Sequence, residues 1–175
     1  TDAEGHLCDT LYYFWVKTLP CPHCETRVDL FSSYVFASNA YPDRKPEVRV
    51  YCPHCSNVFA ASVRDEQVVC PSCACRFNPS QGPAKGVSAT CGACSKSFPI
   101  ARVAKNQGRP PAHRLFAKLV LTTSNDKLYL PVSRADEVAY QRCSEELARS
   151  NLPLPMLELA DGYNTRQAIN YGYRS

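Results

Sequence analysis

Eight of the eleven cysteines fall into four Cys-x-x-Cys pairs, and cysteine thiolates are favoured ligands of zinc. The pairs are Cys21/Cys24, Cys52/Cys55, Cys70/Cys73 and Cys91/Cys94. A Cys-x-x-Cys turn brings two sulfurs to one side of a tight knuckle, and two knuckles complete a tetrahedral four-sulfur site. The sequence therefore predicts two structural zinc ions that together use all eight thiols.

The pairs belong to a longer repeat. The fourth residue after each second cysteine is apolar, namely Val28, Phe59, Phe77 and Phe98. This pattern predicts a knuckle followed by a strand, four times, with an apolar side chain laid against each metal centre. The residue directly after the second cysteine often turns left-handed in such knuckles, and here it is never glycine: Glu25, Ser56, Ala74 and Ser95. That conformation costs a residue other than glycine about 1–3 kcal/mol, well below the roughly 10–16 kcal/mol that structural zinc contributes.

The spacing identifies the zinc ligands but leaves open which two knuckles share a zinc ion. Cys55 and Cys70 are separated by 14 residues, enough for two short strands and a turn, so these pairs predict a zinc ribbon. The outer pairs would then close a second site over the 66 residues between Cys24 and Cys91. Closing the longer loop costs only about 1.4 kcal/mol more, so loop entropy does not exclude this nested arrangement, which is the pairing we favour. Sequential pairing stays open, because the 17 residues between Cys73 and Cys91 also suit a ribbon.

Other chemistry for the same thiols receives less support. Disulfides could join them, but closely spaced pairs in a reducing compartment favour metal. An iron-loaded electron carrier is disfavoured by two sites and by the large remainder of the chain. His23 and His54 lie inside the knuckles and are interpreted as turn residues. Of the remaining cysteines, Cys75 is expected to pack as a thiol, and Cys143 is predicted to lie in the core because it shares an apolar helical stripe with Ala139 and Leu147. The position of Cys8 indicates no role.

Strands, a hairpin and one helix are predicted around the knuckles. An aromatic strand over 11–16 is expected to lie in the core, with Tyr12, Tyr13 and Trp15 packed beside the first knuckle; stacking of these three residues on nucleic acid is the alternative. Further strands are predicted over 28–36 and 48–51, and a hairpin over 114–123 and 127–132. Ser133 followed by Asp136 predicts a capped helix that ends near Ser150, before an extended tail.

Positive charge is concentrated in one part of the chain. The formal charge is +4, and eight thiolates with two zinc ions change it by −8 and +4, to about zero. However, no Asp or Glu occurs between Gln67 and Asn125. A segregated basic stretch can contact nucleic-acid phosphates or can be a solvated surface. The candidate phosphate contacts within it are Arg102, Lys105, Arg109 and Arg114.

Several segments resemble the adenine-specific DNA methylases, which are large prokaryotic enzymes. The similar segments are residues 11–18 (Leu-Tyr-Tyr-Phe-Trp-Val-Lys-Thr) with the knuckle at 21–24, residues 86–94, and the closing runs 162–165 and 170–174. The resemblance implies a zinc-ribbon insertion between the cofactor motif and the catalytic motif of a Rossmann-like methyltransferase. It also implies that S-adenosylmethionine is bound only by the parent enzyme, and that the remainder of that enzyme and duplex DNA are the partners.

The chain itself carries no catalytic motif of that family. A glycine-rich Gly-x-Gly turn for S-adenosylmethionine is absent, and the nearest string to the Asp/Asn-Pro-Pro-Tyr/Phe motif is Asn78-Pro79-Ser80, interpreted as a turn. His6 and His113 have no nucleophile beside them in sequence, and a fully ligated zinc leaves no position for water. We therefore expect no catalytic residue in this chain.

The sequence as a whole predicts an α+β protein that is a piece of a longer cytoplasmic one. A double zinc-ribbon module over 1–104 is followed by a hairpin and helix packed on it over 105–152 and by an extended linker over 153–175. No apolar run reaches transmembrane length, so no membrane partner is expected. The expected function is to bind or position DNA for the methyltransferase. The alternative is a structural or protein-docking module with no nucleic-acid contact.

Overall fold

The computed structural model describes residues 8–150 and, beyond these, only residues 152, 160, 162, 165, 166 and 168. The elements in this part of the chain are β1 Asp9–Pro20, β2 Arg27–Asp29, β3 Val35–Ser38, β4 Glu47–Tyr51, β5 Val58–Ser62, β6 Val68–Val69, β7 Arg76–Phe77, β8 Ala84–Lys85, β9 Ser88–Thr90, β10 Ser97–Pro99, α1 Ile100–Gln107, β11 Ala112–Leu121, β12 Lys127–Pro131 and α2 Arg134–Arg149. The sheets have the strand orders β12-β11-β1-β2, β10-β9-β8, β3-β4-β5 and β6-β7. The α+β prediction is confirmed at this level. Most of the linker predicted over 153–175 lies outside the described residues.

The chain folds into two compact units whose segments alternate along the sequence. Unit one contains Thr1–Val16, Phe31–Gly82 and Arg114–Val132, and unit two contains Lys17–Leu30, Pro83–His113 and Ser133–Ser175. These units do not follow the predicted boundaries at 104 and 152, because strands distant in sequence pair with each other. The predicted hairpin lies almost wholly in unit one, and the predicted helix lies in unit two.

Unit one is organised around aromatic and β-branched side chains. Phe31 stacks on Tyr51 with ring centroids 5.2 Å apart, and Phe116 meets both rings edge-on. A second cluster joins Val48 and Val50 of β4 to Val68 of β6. Buried Val48 and Val50 alternate with the less buried Glu47 and Arg49, as expected for a strand whose two faces differ, and Tyr51 at the end of β4 is buried as well.

Strand β1 contains the aromatic run, but its three most prominent aromatic residues are not core residues. Tyr12, Tyr13 and Trp15 are 66%, 37% and 41% exposed, so their predicted place in the core is wrong. The period of two in a strand places Phe14 and Val16 on the inward face instead. Phe14 contacts the Phe36 ring at 5.0 Å between centroids.

The strand predicted over 28–36 is two strands, β2 and β3, separated by a bend. The bend brings its backbone against Gly82, whose N–H donates to the carbonyl of Ser32 at 3.0 Å. A Cβ atom on Gly82 would lie 2.0 Å from the carbonyl oxygen of Phe31. Only glycine allows this close approach, which a single sequence does not reveal.

Unit two has a core built from short elements. Buried residues of β9, β10 and α1 pack with Leu19 and Val28, and the set includes Ala89, Phe98, Ile100, Val103 and Ala104. Helix α1 was not predicted. It begins after Pro99 without a side-chain cap and ends at Gly108, whose φ of 64° is left-handed. Its buried residues Ile100, Val103 and Ala104 have the i, i+3, i+4 spacing of a helix, but eight residues are shorter than the window over which such a period is read from sequence.

The hairpin and the helix predicted after the knuckles are present in the structure, but the helix is less buried than predicted. Strands β11 and β12 form the predicted hairpin, and α2 begins at Ser133 with a complete capping box with Asp136. Cys143 is exposed, however, and α2 contains no buried residue, so the predicted core role of Cys143 is wrong. Among the described residues, none covers the apolar stripe of Ala139, Cys143 and Leu147 that suggested this role. Neither α2 nor α1 is long and apolar enough to cross a membrane.

Candidate metal centres

Each Cys-x-x-Cys pair occupies the tip of an antiparallel β-hairpin. The four hairpins are β1–β2, β4–β5, β6–β7 and β9–β10, and the last paired residues before the tips are Pro20↔Arg27, Tyr51↔Val58, Val69↔Arg76 and Thr90↔Ser97. The predicted repeat of a knuckle and a strand is therefore confirmed. Its full unit also includes the strand before each knuckle.

The four tips share one backbone geometry. The N–H of each first cysteine donates to the carbonyl five residues later at 2.8–3.0 Å, and the N–H four residues later donates back to the first cysteine's carbonyl at 2.8–3.0 Å. The donors of the returning bonds have left-handed φ values between 56° and 63°, and they are Glu25, Ser56, Ala74 and Ser95. The left-handed turn predicted at these four positions is confirmed.

The first centre lies in unit two and joins the hairpins β1–β2 and β9–β10. Its ligand atoms are the sulfurs of Cys21, Cys24, Cys91 and Cys94, which all lie within 4.8 Å of one another. The Sγ atoms of Cys21 and Cys94 are 3.6 Å apart, as are those of Cys24 and Cys91.

The second centre lies in unit one and joins β4–β5 to β6–β7. The sulfurs of Cys52, Cys55, Cys70 and Cys73 also lie within 4.8 Å of one another. The Sγ atoms of Cys52 and Cys73 are 3.7 Å apart, and those of Cys55 and Cys70 are 3.5 Å apart. The structure thus groups the pairs in the nested arrangement rather than the sequential one.

The sulfur positions fit a tetrahedral zinc ion. With Zn–S bonds of about 2.3 Å, the edge of a sulfur tetrahedron is about 3.8 Å long. The four shortest Sγ–Sγ separations described above, 3.5–3.7 Å, approach this edge. They are far longer than the roughly 2.05 Å of a disulfide bond, and all these cysteines are free. Both groups could therefore bind a metal ion, with zinc as the natural occupant of four thiolates.

The first centre contains thiols with opposite pKa shifts. The pKa of Cys24 is lowered from 9.0 to about 6, chiefly by hydrogen bonds from the Thr26 side chain and backbone. At Cys94 the backbone N–H of Lys96 lowers the pKa, but burial and the neighbouring thiols outweigh it and raise the pKa to about 11. Cys24 therefore deprotonates readily, whereas the surroundings of Cys94 oppose its deprotonation. A divalent cation bound by both thiolates would offset that opposition.

The second centre repeats this opposition. Burial raises the pKa of Cys52 to about 12, against the lowering effect of two backbone N–H donors. Burial also raises the pKa of Cys70, but the N–H groups of Ser72 and Cys73 and the two nearest thiols prevail and lower it to about 6. The backbone of each knuckle thus supplies donors that stabilise thiolate sulfur.

The apolar side chains that follow the knuckles pack with the sulfurs at the first centre, as predicted, and on a neighbouring valine cluster at the second. Val28 and Phe98 lie buried in the same cluster as Cys21 and Cys91. Phe59 and Phe77 are half-buried beside the valine cluster of unit one, with their rings edge-on at 6.4 Å. These contacts fix the strands that follow the knuckles.

The predicted ribbon between Cys55 and Cys70 differs from the structure. Two short strands do lie there, but β5 pairs with β4 and β6 pairs with β7, and the two are in separate sheets. Each strand instead completes the hairpin of its own knuckle. The fold therefore consists of knuckle hairpins joined in pairs by their cysteines. The structure does not establish a zinc ribbon.

The other chemically distinctive residues lie outside both sulfur groups. His23 and His54 are exposed in the knuckles and belong to neither candidate metal group. Cys8 and Cys75 are half-buried, and Cys143 is exposed. Eight cysteines thus account for the two groups found among the described residues.

The four candidate DNA contacts are not brought together on one unit. Arg102 and Lys105 are exposed on α1, and Arg109 is exposed just after it, all in unit two. Arg114 belongs to unit one, is half-buried, and donates to the Tyr51 hydroxyl at 3.0 Å. Tyr51 was not predicted as a site residue, and no sequence signal links two residues 63 positions apart.

Comparisons of the chain with protein-family models, with curated proteins and with solved structures found no match. The resemblance to adenine-specific DNA methylases therefore stays a prediction.

Proposed function

We propose that this chain is a non-catalytic module whose fold is stabilised by two structural zinc ions, one in each four-cysteine group. The observation that carries the proposal is the grouping of eight sulfurs into two clusters with tetrahedral separations. Four thiolates complete the coordination of zinc and leave no position for water or substrate. Such a centre stabilises structure rather than performing catalysis.

The proposed role of zinc follows from the size of the hairpins it would join. Strands β6 and β7 have two residues each, and an isolated two-stranded hairpin is at best marginally stable in water. Linking this hairpin to β4–β5 through four sulfurs supplies the stability that its backbone pairing lacks. The first centre does the same for two hairpins whose knuckles have 66 residues between them.

Elemental analysis of the protein purified without chelator tests the proposal. We expect close to two zinc ions per chain, and a strong chelator should unfold the protein at a temperature where the loaded form is stable. One ion or none, or an unchanged fold after complete metal removal, would contradict it.

The finer proposal is that the module belongs to an adenine-specific DNA methyltransferase, where it helps to hold duplex DNA. Its support is the resemblance of residues 11–24, 86–94 and the closing runs, together with the acid-free stretch from Gln67 to Asn125. Within that stretch Arg102, Lys105 and Arg109 are exposed. S-adenosylmethionine would then be bound by the parent enzyme, and the isolated chain should transfer no methyl group from it.

A salt titration of DNA binding tests this finer proposal. The isolated chain should bind duplex DNA near the non-specific range of about 10⁻⁴–10⁻⁶ M, and each removed phosphate contact should reduce the log–log salt slope by about one. Replacing Arg102, Lys105 and Arg109 by Ala should abolish binding. The matched control replaces Arg44, Lys45 and Arg64, three exposed basic residues outside the acid-free stretch, and should bind as the parent chain does.

The alternative is a docking module whose basic residues meet another protein surface. It predicts no salt-dependent DNA binding by the free chain. A loss of activity would then appear only when the same residues are replaced in the complete enzyme.

A further inference from the structure

Arg114 is held against the aromatic residue that precedes the second metal centre. One terminal nitrogen, Nη2, donates to the Tyr51 hydroxyl at 3.0 Å, and the other, Nη1, donates to the Leu115 carbonyl at 3.1 Å. The guanidinium carbon also lies 5.7 Å from the centre of the Tyr51 ring. This fixed cation lies inside unit one.

Tyr51 transmits this contact to the knuckle. It is only 3% exposed, stacks on Phe31, and directly precedes Cys52 in β4. Its hydroxyl donates to the Ser56 Oγ atom at 2.8 Å while accepting from Arg114. Hydrogen bonds in such a chain polarise one another, so the guanidinium strengthens the bond from Tyr51 to Ser56.

Ser56 is the left-handed residue that closes this knuckle. Its φ is 63°, and its N–H donates to the Cys52 carbonyl at 3.0 Å. A bond to its side chain therefore stabilises a conformation that is costly for serine. It holds the turn that carries both Cys52 and Cys55.

This chain of hydrogen bonds distinguishes one knuckle from the other three. The residues at the two corresponding positions are Pro20 and Glu25, Val69 and Ala74, and Thr90 and Ser95. Pro20, Val69 and Ala74 have no side-chain hydrogen-bonding group. The Thr90 hydroxyl lies 2.8 Å from that of Ser97 instead.

We infer that Arg114 is a positioning residue of the second metal centre, acting through Tyr51 and Ser56 to retain the metal. The inference rests on the proposed zinc binding. Four thiolates and one zinc ion carry a net charge of −2, and a permanently charged guanidinium offsets part of it. Arg114 thus acts in the metal site, although its charge alone suggested a phosphate contact.

Chelator competition combined with thiol labelling tests the inference. The zinc-loaded protein is incubated with a chelator and an alkylating reagent, and labelling of each cysteine is followed by mass spectrometry. In Arg114→Met and in Tyr51→Phe, labelling of the second centre should be about fivefold faster, the size of one typical hydrogen bond. Labelling of the first centre should not change, which provides a control within the same molecule.

Further variants separate positioning from general destabilisation. Arg114→Lys keeps the charge and should restore most of the protection. The double variant Arg114→Met with Tyr51→Phe should exceed neither single variant, because both interrupt one chain of bonds. Phe36→Leu, in the same aromatic cluster, should lower thermal stability without selective labelling, and Arg142→Gln, a loss of exposed charge, should change neither.

The outcomes distinguish the inference from the function beneath it. Equal labelling of both centres in Arg114→Met, or no increase at all, overturns the role of Arg114 while leaving two zinc sites intact. A parent chain that holds fewer than two zinc ions refutes the proposed function, and the inference with it.

Discussion

At the scale of single residues, the knuckles combine a backbone cost with a metal-binding gain. Four residues other than glycine adopt left-handed φ values in the same position of four turns. The position was predictable because the spacing from the second cysteine is constant. The hydrogen bonds of Arg114 and Tyr51 were not predictable, because they join residues that only the folded chain brings together.

Replacing Ala74 by Gly tests the cost of this conformation. Ala74 is exposed with a φ of 56°, so Gly should relieve strain and raise the free energy of unfolding by about 1 kcal/mol. Ala101→Gly makes the same chemical change inside α1 and should lower it by about 1 kcal/mol. Denaturant titration of the zinc-loaded proteins measures both; the same sign for the two variants would contradict the assigned strain.

Replacing Thr26 by Val tests how the first centre keeps its metal in acid. In the metal-free centre the pKa of Cys24 is lowered to about 6, chiefly by hydrogen bonds from Thr26, so protons displace zinc from this thiolate only at lower pH than from an ordinary cysteine. Without the Thr26 hydroxyl the pKa moves back toward 9.0, and protons compete with zinc at higher pH. The midpoint of acid-induced zinc release should therefore move to higher pH for the first centre.

The second centre serves as the control for Thr26→Val, since Asn57 occupies the equivalent position there. Its release midpoint should stay where it is. Zinc release followed with a colorimetric indicator, with thiol labelling to assign the centre, gives the answer. A shift to lower pH, or equal shifts of both centres, would be the wrong result for this account.

At the scale of elements, the unit of construction is a β-hairpin with a Cys-x-x-Cys tip. Periodicity and spacing predicted the strands after the knuckles, the β11–β12 hairpin and the capped helix α2. They did not predict the pairing of β5 with β4, because strand partners depend on contacts outside the local pattern. They also misplaced Tyr13 and Trp15, because hydrophobicity alone does not choose which face of a strand is covered, and Tyr12, which shares a face with Phe14 but is exposed.

Gly82→Ala tests the bend between β2 and β3. The new methyl group would meet the Phe31 carbonyl oxygen at 2.0 Å, so the backbone must move. We expect a loss of about 1–3 kcal/mol in the free energy of unfolding, typical of overpacking. Gly92→Ala is the control, because nothing lies within 4 Å of its added Cβ and no positive φ opposes it. Equal stability of the two variants in denaturant titration would rule out this explanation.

At the scale of the whole molecule, each unit contains one four-cysteine group. Segments of the two units alternate along the chain because the first group joins the first and last knuckles of the sequence, whereas the second group joins the two knuckles between them. Spacing left two pairings open, since closing the 66-residue loop costs only about 1.4 kcal/mol more than closing the 14-residue one. The zinc ligands were predictable from sequence, whereas their partition between two folded units required the structure.

The most direct measurement is the zinc content of two double variants, counted by native mass spectrometry beside the parent chain. Cys52→Ser with Cys70→Ser removes two ligands from one group, so the parent should hold two zinc ions and this variant one. Cys70→Ser with Cys91→Ser damages both groups and should hold none. Zero zinc in the former variant and one in the latter would show sequential pairing and contradict the nested account. A parent chain without two zinc ions would refute its central claim.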